Sequence, residues 1–224
     1  MLKRKLGLMV LTATLVMSNP MSVYAGTALN VATQTAKQYG LSADSSGLNM
    51  NTKSTVLNSM KLAYKQKNIV NEYVNPLDVT ELSGLKATDY AVLLADTGLE
   101  GYGYAFEKAE TDMGINGLFL LSLCALESGW GSSYSSTVKH NCAGIMGTNG
   151  TRTFSSLEDC IIYTAELLKN KYVSEDGAYY KNGKSIFDIN KCYCTQIDWA
   201  AKIIDIAQTQ TVKLQEHNAA ATNK

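Results

Sequence analysis

The chain has 224 residues, of which 46% are hydrophobic and 18% charged, a composition typical of one medium-sized globular domain with an appendage. Its 20 basic and 20 acidic residues balance each other, so the sequence gives no general electrostatic attraction to nucleic acid. We therefore expect no DNA or RNA partner.

Residues 1–25 have the composition of an export signal. Basic residues at 3–5 precede an apolar stretch at 6–17, and small residues before and at Ala25 provide a cleavage site. The apolar stretch is much shorter than the roughly 20 residues that a membrane-spanning helix needs. We expect cleavage after Ala25 and a mature protein that is exported and has no membrane anchor.

The next residues predict an N-terminal lead-in over 26–75. Residues 26–51 are rich in small and polar types without sustained periodicity, which predicts a mobile segment. The apolar spacing over 52–73 predicts one helix, and Pro76 marks a break before the main domain. At the other end, residues 213–224 form a polar tail that we expect to fray.

Several helices are predicted within the main domain. Apolar spacing predicts helices over 88–94 and 102–113, and Asn116 is a good N-cap for the helix that follows. A further helix opens at Ser155, and a last amphipathic helix covers 197–208. Helices therefore account for most of the expected structure.

One β-hairpin is predicted among these helices. The dipeptide Asn149-Gly150 favours a tight turn between two short strands. The fold class is therefore α+β, mainly α, with a small β-hairpin lobe.

The stretch 117–133 carries the clearest chemical signal. Between Leu118 and Leu126 only Ser122 is polar, which predicts a helix buried on all sides. Glu127 ends this helix just before Gly129, a residue suited to a left-handed cap. Apolar neighbours and the negative end of the helix dipole should both raise the pKa of Glu127. A carboxyl group that stays protonated near neutral pH can act as the proton donor in glycosidic-bond cleavage.

Each of these residues also has an ordinary structural interpretation. Glu127 could be a last-turn glutamate that extends into solvent. Trp130, within the small and flexible segment 128–133, suits stacking on a sugar ring but could equally fill the core.

The segment 125–133 resembles the catalytic signature of the bacterial glucosaminidases of glycoside hydrolase family 73. The similarity covers about residues 76–212. Supporting segments in the same order are 84–85, 97–99, 101–103, His140 to Ile145, Tyr193 to Thr195, and Trp199-Ala200 with Lys202-Ile203.

This resemblance implies a lysozyme-like fold and an enzyme that cuts peptidoglycan strands at the cell wall. The implied bond is the β-1,4 bond between N-acetylglucosamine and N-acetylmuramic acid, with Glu127 as general acid. Asn141 is implied to line the floor of the cleft, and Tyr193 to hold the substrate acetamido group or a water molecule. The same residues also allow Asn141 only to terminate the preceding loop and Tyr193 to be a half-buried packing residue. No cofactor is implied.

A second catalytic carboxylate is harder to assign. Some members of the family carry a second glutamate in the β lobe, but residues 147–154 contain no acid and Arg152 occupies the expected place. Glu158 is the nearest candidate, although a capping box with Ser155 explains it structurally. A more distant base or the N-acetyl group of the substrate would replace it. Weaker candidates are Asp159, Asp188 and Glu100.

The five cysteines do not suggest a metal or a disulfide framework. Cys124 and Cys160 lie in apolar helical patterns and are predicted to be core residues. Cys192 and Cys194 resemble half of a zinc site, but the chain has two histidines and no second cysteine pair. We expect no metal, and the cysteine pairing stays open.

Two rival functions remain. A muramidase or a lytic transglycosylase also places a glutamate before a serine at the end of a core helix. A wall-glycan-binding protein without a catalytic base would keep the same fold, and the acid-free hairpin favours this second rival.

Overall fold

The structure is a computed structural model that describes residues 27–66 and 71–222, so the predicted export signal lies outside the described residues. It is mainly helical with one small antiparallel sheet, and the predicted fold class is confirmed. The helices are α1 Thr27–Gln38, α2 Met50–Gln66, α3 Ala87–Leu94, α4 Gly103–Met113, α5 Gly117–Ser128, α6 Tyr134–Lys139, α7 Leu157–Leu167, α8 Ile186–Tyr193 and α9 Trp199–Thr222. A π-helical turn, Leu168–Val173, continues α7, and the strands are β1 Met146–Gly147 and β2 Gly150–Thr151.

Helix α5 lies at the centre of the core, as its sequence predicts. All of its residues except Leu126 and Glu127 are buried. Asn116 caps its N-terminus by accepting a hydrogen bond from a backbone N–H in the first turn, and Gly129 ends it with φ 57°. The buried carboxylate of Glu110 on α4 also accepts the Gly117 N–H at 2.5 Å. Both predicted caps are confirmed, and they fix the position of Glu127 at the end of the helix.

The N-terminal segment is more ordered than its composition predicts. We expected a mobile segment over 26–51, but α1 forms within it and packs against α2 and α9. The buried side of α1 includes Ala28, Ala32 and Ala36, spaced by four residues. Alanine is only weakly apolar, so this helical stripe gave little hydrophobic signal. The expectation of a mobile segment is therefore wrong for α1.

Helix α2 holds α8 at both ends. The predicted helix over 52–73 is present as α2 as far as Gln66; 67–70 lie outside the described residues, and 71–73 are not helical, so the predicted end of the helix is wrong. Near the start of α8, the Lys61 Nζ lies 2.6 Å from the buried carboxylate of Asp188. Near its end, the buried Lys53 Nζ donates to the backbone carbonyl of Asn190 at 2.6 Å. We call Lys53 and Lys61 the α2 clamp, because together they fix the helix that ends at Tyr193.

The last helix extends beyond the expected fraying point. Helix α9 continues to Thr222, and Thr211 and Leu214 are buried, although residues 216–222 are exposed. The predicted fraying is therefore wrong for the helical backbone, which remains regular as far as Thr222. Within 27–66 and 71–222, no helix combines the length and the apolar character needed to cross a membrane.

The predicted hairpin is present with its turn one residue earlier than expected. Met146 pairs with Thr151 and Gly147 pairs with Gly150, so Thr148 and Asn149 form the turn. Gly150 has φ 102°, a backbone conformation that side chains with a Cβ rarely adopt.

The start of α7 differs from the prediction in its capping. Ser156 is the N-cap, and its hydroxyl accepts from the Asp159 N–H at 3.0 Å. The predicted capping box of Ser155 and Glu158 is therefore wrong. Glu158 instead accepts a hydrogen bond from the Tyr104 hydroxyl at 2.7 Å.

Replacing the buried lysine of the α2 clamp tests this arrangement. Lys53→Met should lower the free energy of unfolding by roughly 1–3 kcal/mol, because the carbonyl groups at the end of α8 lose their donor. Lys65→Met, at an exposed position in the last turn of the same helix, is the control. Urea unfolding of both variants measures the difference, and equal stabilities would contradict a role for Lys53 in holding α8.

Candidate active site

Glu127 lies partly exposed at the C-terminal end of α5, where it meets the start of α9. The Trp199 Nε1–H donates to Glu127 Oε1 at 2.7 Å, and the Trp199 side chain is itself buried. The sequence places Trp199 on the apolar side of the last helix and in a segment of the family resemblance, without a partner for its indole. A buried indole N–H generally needs an acceptor, and this requirement was the available signal for the contact.

The second carboxyl oxygen of Glu127 faces a glycine in the loop before β1. A Cβ added at Gly144 would lie 2.9 Å from Glu127 Oε2. Gly144 also has φ 67°, in the region that favours glycine. The loop therefore approaches the carboxyl group more closely than a larger residue would allow.

Burial raises the pKa of the Glu127 carboxyl, and the hydrogen bond from Trp199 partly opposes that rise. The direction agrees with the sequence prediction, but the main cause is burial. An indole N–H can only donate, so Oε1 must be an acceptor in both protonation states. In the neutral acid the proton therefore lies on Oε2, the oxygen beside Gly144.

Tyr193 lies next to this carboxyl group, as the sequence resemblance implies. Its hydroxyl donates to the Ala143 carbonyl at 2.8 Å, and its ring stacks on Trp199 with centroids 5.0 Å apart. Burial, and then the charge of Glu127, raise the pKa of Tyr193 well above its ordinary value. The hydroxyl therefore stays protonated, and it joins the end of α8 to the loop that carries Gly144.

A tyrosine-lined groove extends from this point. Two neighbouring cavities of about 380 and 350 Å³ share Tyr179 and Tyr193 in their walls. Tyr172 lies between these residues, with ring centroids 5.0 Å from Tyr179 and 5.6 Å from Tyr193. We call these three residues the tyrosine groove. The first cavity reaches the hairpin, and the second reaches residues 47–53 of the N-terminal segment.

Sequence reasoning missed most of this groove. Tyr172 and Tyr179 were not singled out, although 13 tyrosines in a chain of this length are a signal for aromatic binding surfaces. Residues 47–53 were also missed, because they precede the region of family resemblance.

Asn141 does not present a free group to a ligand. It is buried, and its Nδ2 donates to the carbonyls of Ile145 and Arg152, each at 2.8 Å. Its Oδ1 accepts the Ile145 N–H at 3.0 Å. This geometry corrects the prediction that Asn141 contacts substrate: the side chain holds the loop that brings Gly144 to Glu127.

Trp130 lies three residues after Glu127, just beyond the end of α5. It lines a separate cavity of about 430 Å³ with the end of α3 and the middle of α9. The walls of this cavity do not include Glu127, Tyr193 or Trp199. That Trp130 stacks on a sugar ring beside the acid stays a prediction.

The predicted second carboxylates also lie in other interactions. Glu158 bonds to Tyr104, and Asp188 forms ion pairs with Lys61 and Lys191 at 2.6 and 2.7 Å. Within the described parts of the chain, these contacts do not join either carboxylate to Glu127. Other nearby groups have separate roles: Asp159 lies at the α7 cap, Glu100 accepts the Asp96 N–H, and the Arg152 guanidinium lies 4.0 Å from the Tyr163 ring centroid.

The cysteines are free thiols. Cys124 and Cys160 are buried, which confirms the prediction that they are core residues. Cys142 is also buried, with its Sγ 3.8 Å from that of Cys160.

The helical fold, the small hairpin and a partly buried carboxyl group beside an aromatic groove are consistent with a glycoside hydrolase of lysozyme-like fold. The family model described as mannosyl-glycoprotein endo-beta-N-acetylglucosaminidase matches residues 103–211. This match covers just under half of the chain.

Two similar relatives are both named putative endo-beta-N-acetylglucosaminidase, from Streptococcus pneumoniae serotype 4 and strain R6. Each is 28% identical over 147 residues, or 61% of this chain. The match covers 22% and 21% of those two proteins, so the chain corresponds to about a fifth of their length.

Crystal structures of S. aureus autolysin E have a similar fold. A catalytic mutant in complex with the disaccharide NAG-NAM aligns with a TM-score of 0.52 and 21% sequence identity. The alignment covers 68% of this chain and 78% of the autolysin chain. A complex with the muropeptide NAM-L-Ala-D-iGlu has the same TM-score, with 22% identity over 68% and 77% of the two chains.

The indole contact gives a testable prediction for the site. Trp199→Phe should raise the pKa of Glu127 further, because it removes the hydrogen bond that favours the charged carboxylate. An NMR titration that follows the Glu127 carboxyl carbon measures the shift. Tyr134→Phe changes an exposed aromatic residue outside the groove and is the control; an unchanged Glu127 titration in Trp199→Phe would contradict the assigned contact.

Proposed function

We propose that this protein is an exported endo-β-N-acetylglucosaminidase that cuts the β-1,4 bond between N-acetylglucosamine and N-acetylmuramic acid in peptidoglycan. The observation that supports this proposal most directly is the state of the Glu127 carboxyl group. Burial raises its pKa, and the hydrogen bond from Trp199 fixes its orientation. The glucosaminidase family and the names of the relatives support the same reaction.

Glu127 is the general acid in this proposal. Its Oε2 gives a proton to the glycosidic oxygen as the bond to the anomeric carbon breaks, so the sugar leaves as a neutral alcohol. The Trp199 N–H remains on Oε1 and stabilises the carboxylate that forms. The tyrosine groove supplies the aromatic faces on which neighbouring sugar rings rest.

The second half of the reaction uses the substrate's own acetamido group. Its carbonyl oxygen attacks the anomeric carbon as the leaving oxygen takes the proton, which gives a cyclic oxazolinium. Glu127 then accepts a proton from the water that opens this ring. The Tyr193 hydroxyl donates to Ala143 but keeps lone pairs that can accept the acetamido N–H. This route is supported by the lack of an acid in residues 147–154.

The place of action follows from the same proposal. A wall hydrolase must reach peptidoglycan outside the cell membrane, and residues 1–25 have the composition of an export signal. The mature enzyme therefore acts as an autolysin at the cell wall.

Removing the proton from position 127 tests the proposal directly. Glu127→Gln should lower the rate of wall hydrolysis by about 10²–10⁴-fold, the usual contribution of a general acid. Glu166→Gln removes an exposed carboxylate from α7 and is the matched control. Release of soluble fragments from purified wall measures both, and undiminished release by Glu127→Gln would reject the assignment.

The same variant has a distinctive pH dependence of stability. Because the folded-state pKa of Glu127 is raised, its protonated form stabilises the folded protein, and this contribution is lost as pH rises through the folded-state pKa. The Glu127→Gln variant has no ionisable group at this position. Its free energy of unfolding should therefore rise relative to that of the parent protein as pH rises. Urea unfolding at acid and neutral pH measures this gain, and a difference that is the same at both would contradict the raised pKa.

Product analysis separates the rival functions. Mass spectrometry of digested wall should find new reducing ends on N-acetylglucosamine, and NMR should find retained β configuration in the first product. Reducing ends on muramic acid would indicate a muramidase, and anhydro-muramic ends a lytic transglycosylase. Wall binding without released fragments would indicate the glycan-binding protein, which the missing second carboxylate favours.

A further inference from the structure

We propose that the cavity around Trp130 is a second saccharide-binding site, separate from the groove beside Glu127. This inference rests on the proposed function only in taking a wall glycan as the ligand. We call this cavity the Trp130 pocket; its wall includes Asp96, Thr97, Trp130, Gln210 and Lys213.

The Trp130 pocket and the tyrosine groove have different walls. Trp199, which bonds Glu127, begins α9, whereas Gln210 in the pocket wall lies three turns further on, roughly 16 Å along the helix axis. Gly129 and Trp130 follow Glu127 by two and three residues, but the pocket wall contains no residue of the tyrosine groove.

Gln210 supplies an acceptor that needs a partner. The residue is only 6% exposed, and its buried Oε1 has no hydrogen-bond partner within the described parts of the chain. Such a buried acceptor is unfavourable unless a donor reaches it. Gln210 lines the pocket, so a rotation of its side-chain amide would present this acceptor to a hydroxyl or an amide N–H of a ligand.

Trp130 is held in a fixed position on the opposite wall. Its backbone has φ 60°, which is rare for a large side chain, and its carbonyl accepts the Gly98 N–H at 2.9 Å. The chain at Gly131 approaches so closely that a Cβ at Gly98 would lie 2.7 Å from the Gly131 carbonyl carbon. Two glycines thus allow the α3 end and the loop after α5 to pack together and place the indole.

The chemistry of the walls favours a neutral polyhydroxylated ring. An indole provides the apolar surface that a pyranose face needs, and the amide of Gln210 and hydroxyl of Thr97 provide polar partners. Asp96 and Lys213 are both exposed and carry opposite charges, so the rim has no net charge to attract an ion. The volume of about 430 Å³ lies within the range of small-molecule sites, roughly 300–1,000 Å³.

The first test uses Trp130 as its own reporter. The chain has two tryptophans, so the double variant Glu127→Gln with Trp199→Phe keeps only Trp130 and should not cleave its ligand. Titration with the tetramer of β-1,4-linked N-acetylglucosamine should change the fluorescence of Trp130 in a saturable way. Unchanged emission while calorimetry records tetramer binding would overturn the proposal.

The second test removes the acceptor in the same double variant, Glu127→Gln with Trp199→Phe, in which Trp130 is the sole tryptophan. Gln210→Leu should weaken the affinity reported by Trp130 by about tenfold, the effect of losing one hydrogen bond. Trp130→Asn keeps a residue that tolerates the left-handed backbone and should weaken calorimetric binding to purified wall. Thr209→Ala, an exposed change on the same helix, is the control.

Two outcomes would reject a saccharide site. One is equal tetramer affinity in the double variant, Glu127→Gln with Trp199→Phe, and in a folded form of it that also carries Gln210→Leu. The other is displacement of the tetramer from Trp130 by the dipeptide L-Ala-D-iGlu, which would assign the pocket to the peptide stem. If Gln210→Leu does not fold, the fluorescence titration of the native pocket still decides. Neither test requires cleavage, so a failure of the proposed hydrolase activity is seen separately, in product analysis.

Discussion

The hydrogen bond between the Trp199 indole and Glu127 is the interaction on which the site depends. It joins the end of the central helix to the start of the last one, across 72 residues of chain. Burial favours the neutral acid, whereas this N–H favours the carboxylate. A proton donor must lose its proton and recover it in each turnover, and two opposed influences keep both forms accessible.

Two side chains hold the loop that approaches this carboxyl group. Asn141 uses its whole amide to hold the loop before the hairpin, and this loop brings Gly144 against Glu127. Tyr193 fastens the same loop from the other side through the Ala143 carbonyl. The Asn141 amide and the Tyr193 hydroxyl thus act as supports for this loop, while the aromatic rings form the wall of the groove.

Local features of the site were predictable from the sequence. The apolar run before Glu127, with Asn116 and Gly129 at its ends, predicted a buried helix with an acid in its last turn, since these signals act over a few residues. The small hairpin was predictable for the same reason, although its turn lies one residue earlier, at Thr148 and Asn149.

Features that depend on packing between distant segments were not predictable. The alanine stripe of α1 is only weakly apolar, so the sequence predicts a mobile segment there. The helix is ordered by its contacts with α2 and α9. The partner of the Trp199 N–H and the cavity lined by Trp130 are set by how helices cross. The capping role predicted for Glu158 is wrong because either of two adjacent serines could begin α7. The fold selects Ser156 as the N-cap.

The α2 clamp has a consequence for transplanting this domain. Lys53 and Lys61 lie outside the stretch that matches the glucosaminidase family, yet they neutralise Asp188 and cap the helix that carries Tyr193. A graft limited to the matched stretch would leave a buried anion with one fewer cation and one wall of the groove missing. The smallest segment that can be transplanted with its groove intact therefore includes α2. Engineered chimaeras should exchange α2 together with α8.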